Sequence, residues 1–301
     1  MKTRNILNAL AGIAVVAAAG LPVGHALSAG GTTVNSLAQK SHFHGIAVDP
    51  GDPSRLFLAT HHGLFQIATD GKARRISKTR DDFMGFTPHP TDPSILYASG
   101  HPVGGGNLGF IVSRNGGRSW TQISKGVRGP VDFHQMDVSR ADPKFIYGSH
   151  GGLQISNDAG QSWRLAGPTP KGMIDLAASA KDVNTLYAAT RSGLLKSVDA
   201  GRSWQSANIV RRPVTMVQAN SRGDVYAFVV GTGFIQTKEP GLNWRTIGGG
   251  LGNNYILHLA ADPTDDRKLY AIAFNSNTRK NTVLASRDGG RSWMSLGSAA
   301  K

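Results

Sequence analysis

One eight-residue phrase constrains this chain more than any other. Ser286-Arg-Asp-Gly-Gly-Arg-Ser-Trp293 has close copies in Ser113-Arg-Asn-Gly-Gly-Arg-Ser-Trp120, Ser156-Asn-Asp-Ala-Gly-Gln-Ser-Trp163 and Ser197-Val-Asp-Ala-Gly-Arg-Ser-Trp204. Thr237-Lys-Glu-Pro-Gly-Leu-Asn-Trp244 is a worn copy, and the copies recur every 40 to 49 residues. All 5 Trp residues of the protein close one of these phrases. A fixed period of this size marks a repeat architecture, in which each unit buries its apolar face against its neighbours. Within the phrase, Asp and Gly make a tight turn. Gly supplies positive φ, and the short Asp side chain accepts hydrogen bonds from nearby N–H groups. Trp then opens the next strand with a large ring to bury and one N–H to satisfy. The phrase is therefore a strand–turn–strand clasp, and its Asp residues (Asp158, Asp199, Asp288) are assigned to folding.

Around each clasp the same four strand-like segments return. An apolar strand is followed by a turn rich in Pro and Asp, then a strand of the Leu-Tyr-Ala type, then a strand opened by Gly that runs into the clasp. The first unit comprises His44–Pro50, Arg55–Thr60, Gly63–Ile67 and Arg74–Ser77, with its clasp decayed to Thr69-Asp-Gly71. Later units begin near Phe83, Phe133, Met173, Val214 and Ile256. Short β-rich runs between turn residues read as antiparallel strands, and four per unit repeated radially make a propeller blade. The expected fold is all-β, a six-bladed propeller of four-stranded antiparallel blades. Seven blades is the alternative, if a strand from residues 31–40 pairs with the end of the chain.

Ser-x-Asp-x-Gly-x-x-Trp resembles the Asp-box of bacterial sialidases and related BNR-repeat propellers. The resemblance covers nearly all of residues 41–301 and implies the fold. It leaves function open, because unrelated activities share such scaffolds.

Residues 1–26 have the form of a secretory signal: basic Lys2 and Arg4, an apolar run from Ile6 to Val23, and small residues before a cut after Ala26, or after Ala29. A retained anchor is the alternative, although Gly20-Leu-Pro-Val-Gly24 interrupts a spanning helix. Residues 27–40 are a lead-in segment or an outer closing strand. No later segment is long and apolar enough to cross a bilayer. These features place the protein in the periplasm or outside the cell, as a closed ring expected to be a monomer. The chain has no Cys, which excludes disulfides and thiolate metal sites. Its formal charge is +14. Such an excess favours anionic partners such as an acidic glycan, lipopolysaccharide, a membrane surface or nucleic acid; no nucleic-acid motif accompanies it, and a generally basic soluble protein is the bland alternative. The expected partner is a small polar or anionic ligand, such as a glycan.

Propeller geometry then sorts the loops. The clasps sit on one face. The opposite face is built from the linkers between blades and the loops between second and third strands. His42, His44, His61, His62, His101, His134 and His150 all map to that face, seven of the 10 His residues. Asp81, Asp82, Asp132 and Asp175 join them. Imidazole and carboxylate together ligate zinc, copper and related transition metals. The bland alternative is a set of turn residues bonded to backbone. Arg80, Arg191, Arg211 and Arg212 lie in the same loops and offer bidentate contacts to an anion.

The sialidase resemblance would imply an Arg triad, a Tyr–Glu nucleophile pair and an Asp acid. Here no Phe/Tyr-Arg-Ile-Pro motif exists, the chain after the signal region has no Arg before Arg55, and the sole Glu, Glu239, lies inside the worn clasp. No Tyr–Glu pair is therefore expected. A glycoside hydrolase with another catalytic pair would need two carboxylates at suitable separation, from Asp81, Asp82, Asp132 and Asp175. The chain is also similar to bacterial BNR proteins loosely described as glycosyl hydrolases, through His42-Phe-His-Gly45, Thr60-His-His-Gly-Leu64 and Asp81-Asp-Phe-Met-Gly-Phe86. A non-catalytic assembly scaffold, as in related propellers that assist photosystem assembly, is the remaining class.

Overall fold

A computed structural model describes residues 32–207 and 211–298. The signal region, residues 1–26, lies outside them. Six four-stranded antiparallel sheets form a six-bladed propeller, each in simple sequence order. Blade 1 holds β1 (Phe43–Val48), β2 (Arg55–Thr60), β3 (Gly63–Ala68) and β4 (Ala73–Arg75). Blade 2 holds β5 (Asp82–Pro88), β6 (Leu96–His101), β7 (Phe110–Ser113) and β8 (Thr121–Ser124), and blade 3 holds β9 (Gln135–Val138), β10 (Ile146–Ser149), β11 (Leu153–Ser156) and β12 (Arg164–Gly167). Blade 4 holds β13 (Met173–Ala178), β14 (Leu186–Thr190), β15 (Gly193–Ser197) and β16 (Gln205–Ser206). Blade 5 holds β17 (Val214–Ala219), β18 (Asp224–Val229), β19 (Gly233–Lys238) and β20 (Arg245–Gly248), and blade 6 holds β21 (Asn254–Ala261), β22 (Leu269–Asn275), β23 (Lys280–Ser286) and β24 (Met294–Ser295). No seventh blade forms among the described residues.

The core is divided into seams. Tyr97, Phe110 and Val112 of blade 2 pack on Phe133, Met136 and Ile146 of blade 3. Equivalent clusters fill the other junctions between neighbouring blades. Each clasp Trp joins the seam in front of its own blade, as Trp163 does between Phe110 (ring centroids 5.3 Å) and Phe133 (4.8 Å). The clasp itself is a closed hydrogen-bond circuit. Ser197 Oγ donates to Asp199 Oδ1 (2.7 Å) and accepts from Gly201 N–H (2.9 Å). Asp199 in turn accepts from the Oγ and N–H of Ser203, and those bonds hold its carboxyl down to about 2. At the tip, Gly160 has φ +86°, and a Cβ there would lie 2.0 Å from the Phe110 ring. The clasp Gly thus serves both the turn and the seam.

A second repeated device ends each first strand. Asp49, His89, Ser139, Ser179, Asn220 and Asp262 each accept the backbone N–H two residues on, at 2.8–3.2 Å. These side-chain turns substitute for backbone turns and explain the Asp- and Ser-rich loops after the first strands.

Ring closure differs from expectation. Within the 27–40 segment, residues Val34–Ala38 form a short helix, α1, rather than an outer strand. Thr33 caps it reciprocally with Ser36. Val34 and Leu37 are buried in the seam between blades 6 and 1, with Phe43, Tyr270 and Val283. Blade 1 is the blade whose clasp lacks Trp, so α1 fills the position of the missing ring. Val34 N–H also donates to Gly71 O in that decayed clasp (2.9 Å).

The worn clasp of blade 5 holds a second departure. A Tyr–Glu pair does form: Tyr187 OH donates to Glu239 Oε1 (3.0 Å), while Glu239 Oε2 accepts Ala180 N–H (3.1 Å). Both residues are buried, at the clasp end of the seam between blades 4 and 5. Glu239, at the Asp position of its own clasp, thus reaches back into the preceding blade.

Gly160→Ala should destabilise the protein by about 2–4 kcal/mol through backbone strain and overpacking, read as a lower midpoint in denaturant. Gly104→Ala, where a Cβ meets nothing within 4 Å, should change the midpoint little. Equal midpoints for the two variants would contradict the assigned role of the clasp.

Candidate functional site

The face opposite the clasps carries two three-residue groups, His44–His61–Asp82 and His101–Asp132–His134, each with its ligand-type atoms within 4.8 Å of one another. The first spans the junction of blades 1 and 2. His44 sits on β1 as the extra residue of a bulge, because Phe43 pairs with Thr60 and Gly45 with Ala59. Bulges re-aim side chains, and this one brings His44 Nε2 within 3.4 Å of Asp82 Oδ1. His61 follows β2 and places Nδ1 3.6 Å from Asp82 Oδ2. The second group spans the junction of blades 2 and 3. His101 ends β6, and Asp132 and His134 lie in the linker before β9. His134 Nε2 is 2.7 Å and His101 Nε2 3.2 Å from the same oxygen, Asp132 Oδ2.

The groups are neighbours. Asp82 of one and His101 of the other are direct cross-strand partners on β5 and β6. Gly100 permits this approach: at φ +118°, a Cβ would lie 2.0 Å from Asp82 O. Beneath them runs a central cavity of about 180 Å³, walled by the first strands and reached by His44, His134 and His258.

Three buried polar atoms here lack a hydrogen-bond partner: His44 Nε2, Asp82 Oδ1 and Asp132 Oδ1. Burial drives the His44 proton affinity well below the ordinary imidazole value, with further depression from His61 and His258. Burial likewise lowers His61 to about 4, helped by His42 and His62. Burial pushes Asp82 up to about 6, and Asp132 adds to the rise. His134 is raised, because it donates to Asp132.

The other expected residues take different positions. His42 and His62 are exposed, their rings 5.5 and 6.5 Å from that of His61. His150 Nδ1 lies 3.0 Å from the Asp132 carbonyl and holds backbone in place. Asp81 Oδ1 accepts Val103 N–H (3.2 Å) and tethers the loop after β6. Asp175 is a strut between blades: it accepts Leu176 N–H (3.0 Å) and Val217 N–H (2.9 Å), so both carboxylate oxygens serve backbone. Arg80, Arg191 and the adjacent Arg211 and Arg212 are exposed in three loops, with Arg212 donating to Gly231 O (3.2 Å). His258 lies on β21, as its place in the first strand of the sixth unit implied; it is half-buried at the central cavity, and desolvation lowers it to about 4.

No protein-family model matches the chain, and no curated protein does. Solved structures with a similar fold include the GH74 xyloglucanase of Xanthomonas campestris (18% identical, TM-score 0.55), over 85% of this chain and 45% of that one. The GH74 enzyme of Niastella koreensis aligns with TM-score 0.57 at 14% identity, again over 85% of this chain and 45% of that one. YCF48 bound to D1 peptide aligns with TM-score 0.52 at 15% identity, over 93% of this chain and 89% of that one. The chain spans less than half the length of the two GH74 enzymes. At these identities the likeness establishes a shared propeller fold.

The depressed imidazoles fix a pH dependence. His61 and His258 bind protons below 6.5 when unfolded but only near 4 when folded, and His44 behaves alike. Across that window the unfolded chain holds more protons, so stability rises with pH. Asp82 opposes this, since its folded carboxyl keeps a proton up to about 6 where the unfolded one loses it near 3.8. With several imidazoles against it, the chelator-treated protein should lose stability between pH 6.5 and 4, and His61→Asn should flatten the profile. A profile unchanged by that substitution would contradict the assignment.

Proposed function

We propose that this chain is an exported propeller that binds transition-metal ions of the zinc or copper class through His44–His61–Asp82 and His101–Asp132–His134. One observation carries the reading. His101 Nδ1 lies 2.8 Å from Gly106 O, an acceptor, so Nδ1 donates there and turns Nε2 toward the group. Nε2 faces Asp132 Oδ2, to which His134 Nε2 donates. Two imidazole nitrogens and a carboxylate oxygen converge on one point, and a cation entering there displaces the proton of His134. A hydrogen bond from the outer nitrogen of a ligand His to a carbonyl is the usual support of a metal site. Two His and one carboxylate leave coordination positions open to water or a small anionic ligand, and the basic chain favours the latter. Neutral His44 and His61 need lose no proton to bind an ion at neutral pH.

The test is calorimetric titration of the tag-free mature chain with zinc. His101→Ala combined with His134→Ala should weaken one of the two zinc-binding events at least about tenfold, the loss expected even for an outer-shell change, and leave the other. His62→Ala and Asp81→Ala should bind as the parent does. Absence of binding by the parent, or equal losses in all variants, would overturn the reading.

Asp82 supports a second reading. A carboxyl near 6 with Asp132 in the adjoining group has the character of a general acid beside a second carboxylate, and two of the fold neighbours are GH74 enzymes. Turnover of a nitrophenyl glycoside, abolished by Asp82→Asn, would support hydrolysis; no turnover between pH 5 and 7 would dismiss it.

A further inference from the structure

The excess positive charge of the chain is unevenly placed. On the His/Asp face, the linkers (residues 39–42, 76–81, 125–134, 168–172, 207 and 211–213, 249–253) and the loops between second and third strands (61–62, 102–109, 150–152, 191–192, 230–232, 276–279) hold 10 Lys and Arg against 2 Asp. All 10 of these basic side chains are exposed. The clasp face is built from the loops between first and second strands (49–54, 89–95, 139–145, 179–185, 220–223, 262–268) and the clasp turns (69–72, 114–120, 157–163, 198–204, 239–244, 287–293). It holds 12 Lys and Arg against 13 Asp and Glu. One face is nearly neutral, and the other carries the surplus.

Ion pairing sharpens the contrast. On the clasp face, Lys72, Arg140, Arg222, Arg267 and Lys268 each lie within 4.0 Å of a carboxylate oxygen. Among the described residues, none of the 10 cations of the His/Asp face forms such a pair. They also come from around the ring: Lys40 before blade 1, Arg80, Arg128, Lys171 and Arg211 in the next four linkers, and Arg279 on blade 6. A partner that meets them together must itself be broad and anionic.

The loop after β6 says which kind. Val103 is the most exposed large apolar side chain described, at 76%. It precedes Gly104, Gly105 and Gly106, where an added Cβ would meet nothing within 4 Å, so the loop stands clear of the protein. Asp81 holds it at Val103 N–H (3.2 Å) and His101 at Gly106 O (2.8 Å). An acidic polysaccharide offers an apolar tip no apolar phase; a bilayer offers one just below its charged headgroups.

We propose that the His/Asp face docks flat on an anionic lipid membrane, with the ring of Lys and Arg on the headgroups and Val103 entering between them. Basic residues held near an anionic bilayer attract it over about a Debye length. Docking turns both His/Asp groups toward the lipid surface and the clasps away from it.

The experiment measures binding of the mature chain to phosphatidylcholine vesicles with and without phosphatidylglycerol, by sedimentation and with chelator present, so that the outcome is independent of the metal reading. The parent should bind only the anionic vesicles, and less as salt rises from roughly 0.1 to 1 M, where the Debye length shortens from about 10 to about 3 Å. Arg80, Arg128, Lys171 and Arg211 changed together to Gln should weaken binding at least about tenfold. Arg114, Lys144, Arg202 and Arg287 of the clasp face changed together to Gln remove the same charge and should alter it less than about twofold. A second readout keeps every cation in place. Because the chain has no Cys, Val103→Cys gives a single site for an environment-sensitive dye, whose emission should rise and shift to the blue on anionic vesicles. The same dye on Val198→Cys, at a clasp-face position 55% exposed, should not respond. No binding by the parent, equal losses in the two charge variants, or equal responses from the two dyes would overturn the proposal. Binding of heparin through the same face, with the vesicles left unbound, would also overturn it and assign the face to an acidic polymer.

Discussion

No blade of this molecule can bury its own faces; each needs the next. That requirement explains why the clasp is built as it is. Its Gly turns the chain at positive φ and also lies hard against an apolar side chain of the preceding blade, Phe110 below Gly160 and Phe234 below Gly290. Its Trp fills the seam beside it. Hydrogen-bonded struts repeat the linkage around the channel: Asp137 accepts Ala178 N–H (2.9 Å), Asp175 accepts Val217 N–H (2.9 Å), and Thr215 Oγ1 donates to Ile256 O (2.6 Å). The ring closes the same way. Where the clasp of blade 1 has lost its Trp, the short helix supplies Val34 and Leu37, and the closing seam keeps its apolar filling.

The site is a by-product of this regularity. His61 and His150 follow the second strand of their blades, and His101 ends it. His42 and Asp132 precede the first strand of theirs, and Asp82 begins it. A junction therefore sets the His of one blade beside the residue entering the next. Between blades 1 and 2 the pair is His61 with Asp82; between blades 2 and 3 it is His101 with Asp132. Between blades 3 and 4 the entering residue is Gly172, and His150 turns instead to the Asp132 backbone. The chemistry is confined to two junctions because only two supply a carboxylate.

Six blades, the clasps and the sorting of loops onto two faces were legible because the repeat is written in unambiguous letters: Trp, Gly and Asp at fixed offsets. The helix was not, since five residues of mixed polarity carry no periodicity and gain their stability from the seam. Residue type and face brought His101 and His134 into view, but type could not separate Asp82 from its neighbour Asp81. One turns into the cluster and the other ties a loop, a difference of strand alternation. Asp175 shares the face by position yet spends both oxygens on backbone N–H groups. The Tyr187–Glu239 pair escaped notice because it joins two blades through a worn clasp, a contact no single repeat reveals.

The most direct test of the account is crystallographic. Crystals of the mature chain grown with zinc or copper, and measured at the absorption edge of that metal, give anomalous peaks only where the ion is bound. The account places peaks among His101 Nε2, Asp132 Oδ2 and His134 Nε2, and among His44 Nε2, His61 Nδ1 and Asp82. Anomalous density elsewhere alone, or none on this face, would contradict the claim that these side chains form a metal centre.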